Sequence, residues 1–123
     1  MPSSIQEIGG GVTAPAGFRA AVAAAGIKHP GRPDVALLVS DSPAAAAGCF
    51  TTNRVQAAPV RLCKARLRKG RAQAIIVNSG NANACTGPQG DRDAARTAAA
   101  AARSLGLATD LVLVASTGTI GIP

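Results

Sequence analysis

Ser116, Thr117, Gly118 and Thr119 put three hydroxyls and a glycine in four successive positions, directly after the apolar run Leu111–Ala115. A hydroxyl donates a hydrogen bond in whatever direction its rotor allows. A glycine peptide offers its N–H with no Cβ to hold a substrate away. Together these groups suit an anion, above all the oxyanion that forms when a carbonyl is attacked. Val112 and Val114 are β-branched and favour a buried strand. In open α/β sheets, ligands collect at the carboxyl ends of such strands. Taken alone, the same segment also reads as a plain turn closing a core strand. No reacting partner is evident: His29 is the only histidine, so a His-based triad within the chain is nearly excluded.

Three further groups of residues invite a chemical reading. The stretch Asn78-Ser79-Gly80-Asn81-Ala82-Asn83-Ala84-Cys85-Thr86-Gly87 packs three Asn and two Gly into ten positions after the apolar Ala74–Val77. It suits the wall of a site, or a loop braced by Asn side chains bonding the main chain. Arg54, Arg61, Lys64, Arg66, Arg68, Lys69 and Arg71 crowd one segment, and no acid lies between Asp41 and Asp91. Such a patch attracts phosphates or acidic partners, or is a solvated face completed by acids elsewhere. It has no aromatic neighbours on which single-stranded bases could stack. Gly9-Gly10-Gly11 lacks the preceding strand and following helix of a phosphate cradle and reads as a flexible arm.

The elements that must position these residues can be outlined. Residues 1–17 form an irregular, Gly- and Pro-rich lead-in. Phe18 to Lys28 is ambiguous between helix and strand; the turn His29–Asp34 and the strand Val35–Val39 after it favour a hairpin. Ala44–Ala47 suits a helical turn ended by Gly48. Cys49–Val55 and Pro59–Cys63 are strand candidates, and Lys64–Lys69 a basic helical turn ending at Gly70. Asp91–Leu105 is the clearest helix, with Asp91 or Asp93 in its first turn, Arg103 in its last and Gly106 as its stop. With Ala74–Val77 and Leu111–Ala115 it makes a βαβ unit over 74–115, whose crossover should be right-handed.

Composition bounds the rest. The 123 residues make one domain at most, with two Phe as the only aromatics and Ala filling much of the apolar share. Such a core buries little area per residue, so dependence on a partner chain or on further sequence is expected. The net charge is +7, from 13 basic and 6 acidic residues. Cys49, Cys63 and Cys85 are odd in number and lack a C-x-x-C pair, which fits buried thiols in a reducing compartment better than disulfides or zinc. No run has membrane length and no leader pattern opens the chain, so a cytoplasmic protein is expected.

Four stretches in one order now suggest a relationship: Gly11–Phe18, Phe50–Val55, Val77–Gly87 and Ser116–Gly121. Together they closely resemble the amino-terminal part of the ornithine acetyltransferase family, often bifunctional glutamate N-acetyltransferases of arginine biosynthesis. The resemblance implies an incomplete αββα-type sandwich, with 1–123 the amino-terminal part of an α-chain domain. Members cleave themselves before a Thr, which becomes the nucleophile. The resulting α and β chains stay together, usually as α2β2. The Thr takes acetyl from N-acetylornithine and passes it to glutamate, and some members also use acetyl-CoA as substrate. Neither metal nor bound cofactor is implied. Thr117, through its hydroxyl, and Gly118, through its N–H, are the implied oxyanion hole. Thr119 leads into Ile-Gly-Ile-Pro, so the nucleophile is expected beyond this chain, and 1–123 alone is expected to be inactive. Two other readings stay open: a basic module binding nucleic acid or an acidic partner, and a related self-cleaving amidohydrolase or aminopeptidase.

Overall fold

Alternating small and apolar residues on both sides of a Pro/Gly turn produce the opening hairpin. Strand β1 (Phe18–Ala23) pairs antiparallel with β2 (Val35–Ala45), with Phe18 opposite Ser40 and Ala23 opposite Val35. The structure is a computed structural model and describes residues 4–123. Strand β2 pairs antiparallel with β3 (Arg71–Asn81), with an irregularity between Val39 and Ala44. Strand β3 pairs in parallel with β4 (Val112–Thr119), so the sheet order follows the chain, β1-β2-β3-β4.

The parallel pair is joined by helix α2 (Gly87–Leu105), which completes the βαβ unit expected over 74–115. Its start lies four residues before the expected one. Pro88 occupies the first turn, where its missing N–H costs nothing, and no acid stands there. The expected stop is in place: Gly106 ends the helix in the left-handed conformation at φ 67. Gly90, Ala94, Ala98, Ala101 and Ala102 form its buried stripe. Small side chains let the helix sit close to Val39, Ala74, Val112 and Val114 on the sheet.

Helix α1 (Ala58–Arg66) stands where the strand candidate Pro59–Cys63 was expected. Pro59 is pre-set for a first helical turn, and Cys63 then faces inward while Leu62 and Leu67 pack beside it. The expected basic turn survives as a 3-10 extension, Leu67–Lys69, closed by Gly70 at φ 65. Cys49–Val55 forms no strand. Thr51 Oγ1 accepts from Asn53 N–H, and Asn53 Oδ1 accepts from Val55 N–H, so side chains satisfy the main chain there. Ala44 and Ala45 belong to β2 rather than to a helical turn. Of the three cysteines only Cys63 is buried; Cys49 and Cys85 are exposed.

Strand alternation gives the sheet two unlike faces. Val39, Ala74, Val112 and Val114 meet α2. The opposite face carries Phe18, Val22, Leu38, Ile75, Val77, Leu113 and Ala115 by register, and no helix covers most of it. Among the described residues no helix is long and apolar enough to cross a membrane.

Candidate active site

The polar segment after the apolar run is not a turn. Ser116 to Thr119 continue β4, and Asn78 to Asn81 continue β3, with Asn78 opposite Ser116, Ser79 opposite Thr117, Gly80 opposite Gly118 and Asn81 opposite Thr119. The two sequence-singled stretches are therefore one structure, the shared carboxyl end of a parallel pair. Gly80 and Gly118 both hold positive φ, 120 and 131. A Cβ at Gly118 would lie 2.3 Å from the Gly80 carbonyl carbon and 2.7 Å from Asn81 N. Gly118 must therefore lack a side chain for β4 to approach β3 this closely.

Thr117 and Gly118 are both exposed, and Thr117 Oγ1 makes no hydrogen bond among the described residues. By alternation the Thr117 side chain lies on the face opposite α2. Ser116 lies on the α2 face and donates to Asn78 Oδ1 at 2.5 Å. Asn78 Nδ2 in turn donates to Asn81 O at 2.8 Å. Asn83 N–H donates to Asn81 Oδ1, Thr86 Oγ1 donates to Asn83 Oδ1 at 2.6 Å, and Asn83 Nδ2 reaches Gly90 O. Asn83 and Cys85 are held at positive φ, 49 and 58, by this network. The Asn-rich stretch is thus a brace. It also ties the segment after β4: Asn81 Nδ2 donates to Ile122 O, and Gly121 N–H to Ala84 O.

Helix α1 secures β4 from its outer edge. The Cys63 thiol donates to Val114 O at 3.2 Å, and its sulfur accepts from Val114 N–H at 3.4 Å. Arg66 donates to Val112 O. Burial pushes the Cys63 thiol pKa up, and burial pulls the Arg66 guanidinium pKa down. The helix runs antiparallel to β4, so its first turn lies towards Ser116.

The 24–34 loop between β1 and β2 closes over the paired glycines. A Cβ at Gly80 would lie 2.9 Å from Ile27 Cγ2 and 3.1 Å from Lys28 Cβ. Asp34 shapes this loop: its carboxylate accepts from Ala25 N–H and Ile27 N–H, both at 2.6 Å, and its carbonyl accepts from Ser79 N–H. Those main-chain donors hold the Asp34 carboxyl below the usual carboxylate range. The loop and the glycines line a half-open cavity of about 310 Å³ with Lys28, His29 and Arg32, all three exposed, and with Asp34, Ser79 and Gly118. In the sequence His29 stands out only as the single histidine and as the start of a turn. The position of this loop depends on pairing with β3, which no local pattern announces.

The basic segment is largely engaged within the chain. Arg61 pairs with Asp91 at 2.5 Å and Lys69 with Asp110 at 2.6 Å. Arg66 and Arg71 donate to the carbonyls of Val112 and Pro43. Lys69 holds the Asp110 carboxyl below its usual range. Four of the seven cations are thus occupied, which removes most of the case for a nucleic-acid surface.

Known proteins match this arrangement throughout. Arginine biosynthesis bifunctional protein ArgJ of Symbiobacterium thermophilum is 59% identical over 121 residues, covering 97% of this chain and 30% of that protein. Its counterpart in Thermosynechococcus vestitus is 58% identical over 119 residues, 96% of this chain and 28% of that protein. The chain therefore spans about 30% of the length of the curated relatives it matches. A crystal structure of ArgJ from Bacillus halodurans superposes with a TM-score of 0.88 at 41% identity, covering 92% of this chain and 59% of that one. Ornithine acetyltransferase from Mycobacterium tuberculosis, complexed with ornithine, superposes with a TM-score of 0.84 at 53% identity, over 91% of this chain and 61% of that one. The sequence profile of the ArgJ family matches residues 19–123, from the first strand of the hairpin through the glycine corner, and the chain belongs to that family.

Proposed function

We propose that this chain supplies the oxyanion-binding corner of an acetyltransferase that moves acetyl from N-acetylornithine to glutamate, with acetyl-CoA as a further donor. The observation that carries the reading is the Thr117–Gly118 corner: an exposed hydroxyl without a partner among the described residues, beside a peptide that has no Cβ. Strand geometry supports it. In a parallel ladder the N–H and C=O of one residue point to the same side, and successive residues alternate. Val114 spends both groups on Cys63, away from β3. Continued regularly, the same parity directs the Gly118 N–H to that outer side, beyond the reach of α1.

The nucleophile in this reading is a Thr outside residues 1–123, freed by self-cleavage, in an α2β2 assembly located in the cytoplasm. Its hydroxyl oxygen attacks the acetyl carbonyl of N-acetylornithine, and the C–N bond breaks as the ornithine amine takes the hydroxyl proton. The glutamate amine then attacks the acetyl-threonine ester, and the C–O bond breaks as the threonine oxygen takes up the proton that the amine gives up. Both steps pass through a tetrahedral oxyanion, which Thr117 Oγ1–H and Gly118 N–H stabilise. No resident metal or cofactor takes part.

The test is Thr117→Ala in the full-length enzyme. Loss of one oxyanion donor should lower kcat about 10²-fold while KM changes little. Unchanged kcat with correct folding, or a defect confined to KM, overturns the assignment.

A further inference from the structure

We propose that the cavity between the 24–34 loop and the paired glycines is an anion site, in which Lys28, His29 and Arg32 hold a carboxylate or phosphate group of a substrate. The inference rests on the acetyl-transfer reading and extends it to residues outside the oxyanion corner.

Three observations converge. First, Lys28, His29 and Arg32 all line one cavity of about 310 Å³, far more than a carboxylate or a phosphate group needs. Second, none of the three makes an ion pair among the described residues. The one acid that shares the cavity, Asp34, is spent: both its oxygens accept main-chain N–H groups at 2.6 Å. Lys28 and Arg32 therefore face the cavity unpaired, two cations beside one carboxylate whose oxygens are turned to the main chain. Third, the floor is main chain. Gly80 and Gly118 present no side chain, so an anion held by the cations lies against the peptides of the corner itself.

This placement does for orientation what the corner alone cannot. A substrate fixed at one end by a charged group and at the other by its reacting carbonyl has lost most of its rotational freedom before reaction. Arg32 offers a planar fork suited to two-oxygen anions, and Lys28 a point charge on a flexible stem. The loop that carries them is anchored by Asp34 to Ala25 and Ile27 and by its carbonyl to Ser79. Both carboxylate substrates and the phosphates of acetyl-CoA share the chemistry required.

The experiment uses the full-length enzyme, carrying Lys28→Gln together with Arg32→Gln. Initial rates are measured with N-acetylornithine, glutamate and acetyl-CoA varied in turn, and Arg68→Gln, an exposed cation away from the cavity, serves as control. KM should rise about tenfold for at least one substrate class, with kcat within about twofold of the parent. A rise confined to the two amino acids assigns a carboxylate, and one confined to acetyl-CoA assigns a phosphate. A rise in both means that the substrates visit the site in turn. Unchanged KM for all three, or an equal rise in the control, overturns the proposal. Calorimetric titration with glutarate and with pyrophosphate gives a readout independent of turnover. The parent should bind at least one, and the double variant should lose it; no binding by the parent, or equal binding by both, also overturns the site. If titration succeeds while the parent transfers no acetyl, the acetyl-transfer reading falls and the anion site stands.

Discussion

At the scale of single residues, Thr117 and Gly118 separate by what a substitution disturbs. Thr117 is exposed and its hydroxyl makes no hydrogen bond among the described residues, so Thr117→Ala should leave the melting temperature almost unchanged while removing the donor. Gly118 is pinned by the neighbouring strand. An added Cβ at 2.3 Å from the Gly80 carbonyl carbon meets backbone, which no rotamer change can relieve. Gly118→Ala should therefore destabilise by more than the ~1–3 kcal/mol typical of an overpacked core, read as a lowered denaturation midpoint. An inactive Gly118 variant says little about chemistry, whereas an inactive, folded Thr117 variant says a great deal. Asp34 makes a prediction of a different kind. Its folded pKa is depressed by the Ala25 and Ile27 N–H groups. A depressed value means that its stabilising contribution is complete above the unfolded-state pKa, about 3.9, and is lost as pH falls through the lower folded value. The stability gap between the parent and Asp34→Asn should thus be constant near neutral pH and shrink below about pH 4. Urea midpoints measured across that range check the sign, and a gap that widens in acid contradicts it.

At the scale of elements, the contact that matters is the one between α1 and β4. Cys63 occupies both polar groups of Val114, closing part of an edge that would otherwise be open. Cys63→Ala leaves that buried N–H and carbonyl unpaired, which should destabilise by ~1–3 kcal/mol. Cys63→Ser, which keeps a donor and an acceptor, should lose less; equal losses in urea unfolding would refute the clasp. Because burial raises the Cys63 pKa, a thiol reagent near neutral pH should modify Cys49 and Cys85 quickly and Cys63 slowly. The elements also show what was legible in the sequence. The β3–α2–β4 unit was, because Ala74–Val77, the Ala-rich helix and Leu111–Ala115 each carry a clean local pattern. Helix α1 was not: Pro59-Val60 resembles a strand start, and nine residues hold too few turns to reveal a stripe. Strand ends were missed where polar residues continue the ladder. Asn78–Asn81 and Ser116–Thr119 are strand only because each pairs with the other, and register is not written in either segment alone. The Asn stretch was recognised, and its bracing role, left open by composition, follows from its hydrogen bonds. Thr117 and Gly118 are singled out by the ordered motifs of the family resemblance rather than by local chemistry.

At the scale of the whole molecule, one face of the sheet meets α2, while on the other Val22 is exposed and Leu38, Val77 and Ala115 are only half-buried. Val22 is 69% exposed, although it sits in a regular strand. Residues 1–123 in isolation should therefore bind a hydrophobic dye and self-associate, and the full-length enzyme should do neither. Light scattering with dye fluorescence distinguishes the two, and a monodisperse, dye-free fragment would contradict the exposure of this face. The corner also depends on an order of events. The hairpin β1–β2 and the crossover β3–α2–β4 each join neighbours along the chain, and such contacts form early. Ile27 meets Gly80 across more than fifty positions, and only after both units exist does the loop find its seat. The glycine corner should thus be the last part of the molecule to assemble and the first to open. In hydrogen-exchange terms, the Ala25 and Ile27 amides should become unprotected well before those of Val112 and Val114, so the protein lends its working end to solvent without unfolding its core.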